Sequence, residues 1–444
     1  MYCFFVLLLI PAIVKSVNIC DNECHCQFKN KNNHDYIGEN VYCAHNNETI
    51  LKTEYLLPLT TYSLDLSSCA LTRVTPSNLL RSKTIKELIL KNNEIEEIIS
   101  NAFETPELLL LDLSYNKLTF LDGDLFRSVK KLQSLNLANN KVVSFEGVNF
   151  SPLSNLKQLN LNNNPMGPSL EKAVLFERKG YGLTSNIKSL SISAINLSRV
   201  PDNMFTKAYD IRKLIISNNN LRETFDFPYT LQYLDISGNP ITELSEEDFS
   251  IVPALKELKL NNLCIDEVPD HLFASLRGLA HLELKRNKNL TKFSALAFGR
   301  DVLEDSDDFT LETLSLQGSG ISELDDRLLE PLGKLIRLDL QGNPWKCDCN
   351  LVWLRSLQIE SDYYEELRCA SPKPLYNAKV FLLDKKRFSC AANKHFVGLT
   401  FAVVTFCLLS TCIALWLFLF LPRYQSSCMM RNMYTPVYNL QPMS

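Results

Sequence analysis

Leucines recur along this chain in a fixed phrase, L-x-x-L-x-L-x-x-N-x-L. Clear copies are Leu132-Gln-Ser-Leu135-Asn-Leu137-Ala-Asn-Asn140-Lys-Val142, Leu156-Lys-Gln-Leu159-Asn-Leu161-Asn-Asn-Asn164, Leu231-Gln-Tyr-Leu234-Asp-Ile236-Ser-Gly-Asn239-Pro-Ile241 and Leu335-Ile-Arg-Leu338-Asp-Leu340-Gln-Gly-Asn343. Twelve copies are present, with the Asn-type position at residues 69, 93, 116, 140, 164, 195, 219, 239, 263, 287, 319 and 343. Seven of the eleven spacings are 24 residues, and the others are 23, 31, 20 and 32. A second marker keeps the same phase ten residues after the Asn position: Phe103, Phe126, Phe150, Phe205, Phe249 and Phe273, with Phe298 one residue late. Self-similarity at this period predicts a stacked array of short supersecondary units.

The spacing has a physical reading. In L-x-L the two leucines of a short strand point inward while the residue between them points out. The Asn turns the chain out of the strand, and a buried carboxamide needs partners, which the backbone of neighbouring turns can supply. The later Phe fills the outer half of the coil. One unit buries too little apolar surface to offset the entropy of ordering its own backbone, so stability requires stacking into a quasi-one-dimensional solenoid. Four copies lack Asn. Cys69 and Ser319 keep a polar atom, whereas Ile195 and Leu263 do not, so those two turns are expected to differ locally. Cys69 and Cys264 lie far apart in the series and are expected to be buried thiols. Two units are enlarged, by residues within Met166–Asn186 (containing Lys172, Glu177, Arg178, Lys179 and Tyr181) and by Gly299–Asp308. Both extra segments are expected to loop out, and the second, with five acids in ten residues, to be a disordered loop without the acid spacing of a calcium site.

A solenoid exposes its core at each end unless capped, and eight of the 14 cysteines cluster at those ends. Cys20, Cys24, Cys26 and Cys43 precede the first repeat. The last repeat runs into Asn343-Pro-Trp345-Lys-Cys347-Asp-Cys349-Asn350-Leu-Val-Trp353-Leu354 and on to Cys369 and Cys390. Spacing alone allows three pairings for each set of four. With these residues the chain resembles the extracellular leucine-rich-repeat family, cysteine-capped and of the Toll-like and connectin-like ectodomain kind, over about residues 20–390. The resemblance implies an α/β fold: a leucine-rich-repeat solenoid, or horseshoe, with a parallel concave sheet and disulfide-capped ends. It also implies the pairs Cys20–Cys26, Cys24–Cys43, Cys347–Cys369 and Cys349–Cys390. The sixteen residues between Cys26 and Cys43 exceed the usual cap spacing. Zinc is not expected at cysteines that the extracellular space keeps oxidised.

Two apolar runs set the expected compartment. Cys3 to Val14 is too short to span a bilayer and reads as a cleaved signal peptide ending at Ser16. Phe396 to Leu421 has 26 residues without a charge and reads as a membrane-crossing helix. Bases lie on both sides of it: Arg423 and Arg431 beyond, and Lys385, Lys386, Arg387 and Lys394 before. The leader and the sequons at Asn47, Asn149, Asn196 and Asn289 resolve this conflict with the positive-inside rule toward a single-pass type I plasma-membrane protein, N-terminus extracellular. The expected organisation is 1–16 signal peptide, 17–58 N-terminal cysteine cap, 59–342 twelve repeats, 343–394 C-terminal cysteine cap, 395–421 transmembrane helix and 422–444 cytoplasmic tail. That tail is short for a signalling domain. Within it Tyr434-Thr-Pro-Val437 matches a Y-x-x-Φ sorting pattern that often arises by chance, and Cys428 stands where acylation occurs.

Composition narrows the function. At 46% hydrophobic and 22% charged the chain is a folding sequence, and its net charge of −4 supplies no field for nucleic acid. No G-x-S-x-G, H-E-x-x-H or phosphate loop is present, and the six histidines form no ligand spacing, so neither enzyme activity nor a metal or other cofactor is expected. Function is then expected on the outward strand positions. Around repeats seven to ten, Ile215 and Tyr233 stand among Lys213, Asp235, Glu257, Lys259, His281 and Glu283. An exposed aromatic and aliphatic pair rimmed by charge has the composition of a protein-binding hot spot. The reading is a receptor or co-receptor for a protein ligand, signalling through a membrane partner. The alternatives are a cell-adhesion molecule, with homo-oligomers as one mode, and an accessory subunit of a channel or receptor.

Overall fold

The computed structural model describes residues 17–420, apart from residue 22 and residues 31–36, 44–47, 52–54, 173–174, 177–180 and 391–393. The leader at 1–16, the sequon residue Asn47 and the tail with Cys428 and Tyr434 lie outside the described residues. Two units divide after Phe388.

The first unit is organised by one 14-stranded sheet. Its strands are β1 (His25–Asn30), β2 (Ile37–Tyr42), β3 (Thr61–Asp65), β4 (Glu87–Ile89), β5 (Leu110–Asp112), β6 (Ser134–Asn136), β7 (Gln158–Asn160), β8 (Ser189–Ser191), β9 (Lys213–Ile215), β10 (Tyr233–Asp235), β11 (Glu257–Lys259), β12 (His281–Glu283), β13 (Thr313–Ser315) and β14 (Arg337–Asp339). From β2 onward every neighbour is parallel, and β3 to β14 each carry one leucine phrase. The register aligns Leu64, Leu88, Leu111 and so on to Leu338 in one buried row, at most 4% exposed. Behind it, Leu66 to Leu340 form a second buried row. Each strand from β3 to β14 is only three to five residues long, so these rows, shared between turns, supply most of what holds it.

The turn after each strand is fixed by two devices. The residue before every Asn-type position has positive φ, from Ser68 at 57° to Gly342 at 67°, in all twelve copies. The carboxamide then ties adjacent turns. Asn140 Nδ2 donates to Leu113 O (2.9 Å) and Leu137 O (3.0 Å), and its Oδ1 accepts from Leu118 N (3.1 Å). Asn93, Asn116, Asn164 and Asn219 repeat this pattern, and all are buried. Cys69 substitutes through a thiol that donates to Cys43 O (2.9 Å), and Ser319 through a hydroxyl that donates to Leu284 O (2.9 Å).

The two apolar substitutes do not behave alike, which corrects the expectation of two altered turns. At Leu263 the turn keeps the common backbone, with Asn262 at φ 58° and no second left-handed residue. At Ile195 a second one follows, Asn196 at 63°. The carbonyls that an Asn at either position would have shared still find a donor: Leu161 O accepts from Asn164 (3.0 Å) and Ile236 O from Asn239 (2.8 Å). The thiol expectation is corrected too. Cys69 is buried, but Cys264 is exposed because Leu263 beside it takes the inward place.

Opposite the sheet, phenylalanines stack from turn to turn: Phe126–Phe150 (5.4 Å), Phe249–Phe273 (6.2 Å) and Phe273–Phe298 (5.5 Å) between ring centroids. In the 20-residue repeat the in-phase residue, Tyr229, faces outward, and Phe227 takes the core place at 5.9 Å from Phe249. The described parts of both enlarged segments pack rather than loop out, while Glu177, Arg178 and Lys179 lie outside the described residues. Leu170, Leu175, Phe176 and Leu183 of the first are buried, and Tyr181 lies edge-on to Phe145 (5.7 Å). Gly167 there lies against the Asn196 backbone, so close that a Cβ would stand 2.4 Å from its carbonyl carbon. The acidic segment forms a helical turn, Arg300–Glu304, with Val302 buried. Two of its five acids are neutralised locally, Asp301 by Arg277 (3.0 Å) and Asp307 by Lys334 (2.6 Å).

The ends are closed. Cys20–Cys26 and Cys24–Cys43 are bonded, and the long Cys26–Cys43 interval is taken up by the antiparallel β1–β2 pair, which extends the sheet past the first repeat. At the other end Cys347–Cys369 is bonded, and Cys349 and Cys390 are also disulfide-bonded. Trp345 is fully buried there and donates from Nε1 to Leu340 O (2.9 Å). The second unit contains the helix Lys394–Phe420, whose Ala402–Leu419 stretch is long and apolar enough to cross a membrane by length and composition.

The ladder gives a direct test. Asn140→Ala removes one donor and one acceptor from buried backbone groups and should destabilise by about 2–4 kcal/mol in urea unfolding. Lys141→Ala, at the exposed neighbour, should stay within about 0.5 kcal/mol. Equal effects would mean that the carboxamide is not what joins the turns.

Candidate functional site

The sheet presents two rows of side chains on its open face. Ser63, Glu87, Leu110, Ser134, Gln158, Ser189, Lys213, Tyr233, Glu257, His281, Thr313 and Arg337 follow one another in register. Asp65, Ile89, Asp112, Asn136, Asn160, Ser191, Ile215, Asp235, Lys259, Glu283, Ser315 and Asp339 form the second. Strand pairing therefore brings all eight candidate residues onto one face of β9 to β12. The middle of the face, β6 to β8, carries only serine and amide side chains in these rows, so charge gathers toward β9 to β12.

Their surroundings differ from the expected exposed pair. Ile215 and Tyr233 are each half-buried, and they sit in different rows, diagonal to one another. Tyr233 is covered by cations from both neighbouring strands, Lys213 Nζ at 4.4 Å and Lys259 Nζ at 5.5 Å from its ring centroid. An ammonium held over an aromatic face is attracted by the ring quadrupole. Four positions of these rows are buried: Ser63, Ser191, Ser315 and Asp339, with Ser315 Oγ donating to Asp339 (3.1 Å).

The charges form a connected network. Lys259 pairs with Glu257 (3.2 Å) and Glu283 with Lys285 (3.0 Å). Asn261 Nδ2 donates to Glu283 (2.8 Å), while its Oδ1 accepts from Lys285 N (2.7 Å). His281 Nδ1 lies 2.9 Å from Thr313 Oγ1. Burial raises the Tyr233 phenol above its ordinary value. Burial pulls Lys259 down, but the Glu257 hydrogen bond and the Glu283 charge outweigh it and hold the ammonium above the usual range. Burial likewise pushes Glu283 up, and the Asn261 and Lys285 hydrogen bonds overcome it and hold the carboxyl below its usual range.

Asn261 and Lys285 are members that the motif columns did not single out. Each lies two residues past its strand's outer position, in the Ser, Asn, Gln or Lys slot just before the turn. That slot is polar in every repeat except the fourth, where it is Ala138, a signal the sequence did carry. The face as built rests on a buried leucine row and is charged on top, with one aromatic ring within reach of two ammonium groups. Such a surface suits recognition by complementary charge.

Leucine rich repeat family models match residues 106–166 and 230–250 of the chain. The chain is 28% identical to Tsukushi of Gallus gallus over 355 residues, 77% of this chain and 83% of that protein. It is also 28% identical over 165 residues to Leucine-rich repeat and fibronectin type-III domain-containing protein 4 of Rattus norvegicus. That match covers 37% of this chain and spans only 22% of the rat protein. Among solved structures, the fold is similar to a chain in an octameric complex of Latrophilin 3, Unc5D and FLRT2 (LRR), with 19% identity and a TM-score of 0.50. The match covers 82% of this chain and 99% of that one.

The Asn261 bridge can be tested by titration. In Asn261→Ala the Glu283 carboxyl stays half-buried with Lys285 but without the Asn261 donor, so its titration should move upward when followed by carbon NMR of the side chain. The depressed value stabilises the fold above the ordinary carboxylate range, a contribution lost as pH falls through the folded value. The variant should therefore lose stability near neutral pH relative to the parent and converge with it in acid. A Glu283 titration that does not move would rule out Asn261 as one of the groups that hold it down.

Proposed function

Since the chain belongs to the leucine-rich-repeat proteins, we propose that it is a cell-surface receptor or co-receptor that binds a protein ligand on the open face of its sheet. Lys213, Ile215, Tyr233, Asp235, Glu257, Lys259, His281 and Glu283 form the contact area. The observation that carries this reading is the Lys213–Tyr233–Lys259 stack on β9 to β11, set in a network of fixed carboxylates over a fully buried leucine row. Held in place on strands rather than on loops, these groups lose little freedom when a partner docks. The helix Lys394–Phe420 serves as the anchor, and the face lies outside the cell. Disulfides at both ends favour that side, as do three exposed sequon asparagines, Asn149, Asn196 and Asn289, which would carry glycans there. The chain binds without chemistry of its own and relies on another membrane protein for signalling.

Proximity labelling of neighbours by the full chain on intact cells tests the proposal. A set of surface proteins should be enriched with the parent and reduced about tenfold or more when Ile215 and Tyr233 are both changed to alanine, at hot-spot cost. An unchanged set would reject this face as the contact area. Aggregation of beads coated with the protein alone would point instead to adhesion.

A further inference from the structure

A second charged feature lies along the edge where the chain enters the strands, one residue before the open-face rows. The residue just before each strand is held to the next turn by its own backbone. Lys157 O accepts from Lys188 N (2.8 Å), Lys188 O from Arg212 N (2.9 Å), Arg212 O from Gln232 N (2.8 Å) and Gln232 O from Lys256 N (2.9 Å). These five residues therefore run in single file across β7 to β11, about 4.8 Å apart and about 19 Å from end to end.

Four of the five are exposed cations: Lys157, Lys188, Arg212 and Lys256. Among the described residues no carboxylate lies within ion-pair distance of any of them. Lys157 has only the Gln133 amide oxygen (3.0 Å). In the residues leading into β6 to β11, at 130–133, 154–157, 185–188, 209–212, 229–232 and 253–256, Asp210 is the one acid against six bases. Two tyrosines stand beside the file at corresponding places in consecutive turns, Tyr209 at 53% and Tyr229 at 61% exposed. Thr230 Oγ1 donates to Ile211 O (2.7 Å), which locks those two turns together.

We propose that this edge binds a linear polyanionic polysaccharide, a chain of sulfated or carboxylated sugars. Unpaired cations in single file at strand spacing match a ligand whose charges are themselves strung along a line. Exposed tyrosine rings offer flat faces to sugar rings beside those charges. An acidic protein surface fits less well, because the file and its two tyrosines include no aliphatic side chain such as protein interfaces bury at their centre. The attraction is local, since the whole chain carries a net charge of −4.

The test is surface plasmon resonance with the full chain in detergent micelles over immobilised heparin decasaccharide, with neutral dextran and poly-glutamate as comparison surfaces. The parent should bind heparin in a salt-dependent manner and ignore dextran. Replacing Lys157, Lys188, Arg212 and Lys256 together by serine should weaken heparin binding about thirtyfold, at roughly two- to threefold per surface cation. Replacing Lys373, Lys385, Lys386 and Arg387 by serine, an equal change of charge elsewhere, should leave it within about twofold. Tyr209→Ala with Tyr229→Ala should weaken heparin binding and leave the circular-dichroism melting curve unchanged. Failure of the parent to bind heparin, or equal losses in both charge variants, would overturn the proposal. Binding to poly-glutamate as tight as to heparin would overturn it in favour of an acidic protein.

Discussion

A carboxamide buried at the turn of each repeat is what lets short strands behave as one body. Strands of three to five residues cannot hold themselves, and leucine rows are non-directional: they would tolerate a turn slipping against its neighbour. The asparagine does not tolerate it. Its two ends address backbone groups of opposite kind in two successive turns, so a slip would strand a buried donor and a buried acceptor together. Register across β3 to β14 follows from that penalty, and the open face follows from register. The Lys213–Tyr233–Lys259 stack exists because three consecutive strands are held at equal height.

The ladder is not uniform, and its exceptions are informative. Each ladder carbonyl can draw on a carboxamide of its own turn and on one of the next. Ile195 and Leu263 remove one of the two without leaving Leu161 O or Ile236 O unsatisfied. Redundancy of this kind explains how an array can lose a polar residue here and there while the stack stays continuous. At Ile195 the extra left-handed residue, Asn196, accompanies the close approach of Gly167 to the backbone and so makes room for the enlarged turn before it.

Much of the fold was legible because it is periodic. Phase locates the leucines, the turn position and most of the phenylalanines, and each of these has one place in a stacked coil. What was not legible depends on non-periodic neighbours. Tyr233 reads as exposed from its alternation, yet lysines on the strands either side close over it, and no single repeat reveals that. Cys264 reads as a core thiol by composition, but Leu263 had already filled the inward place. The segment Gly299–Asp308 reads as disordered from its charge, whereas Arg277 and Lys334, reaching from other turns, neutralise two of its acids. The file of cations before the strands was hidden for a related reason. Its members are separated by 31, 24 and 44 residues in sequence and become a line only when the turns are stacked.

The two ends of the sheet are unlike, and this limits what the molecule can assemble into. At one end the antiparallel β1 turns a six-residue strand outward; at the other, Trp345 seals the core beneath disulfide-held chain. A solenoid that ended in a bare repeat at each extremity could join copy to copy indefinitely, because top and bottom would be complementary halves of one joint. Here the halves do not match, so length is set within a single polypeptide and growth into filaments has no geometry to follow.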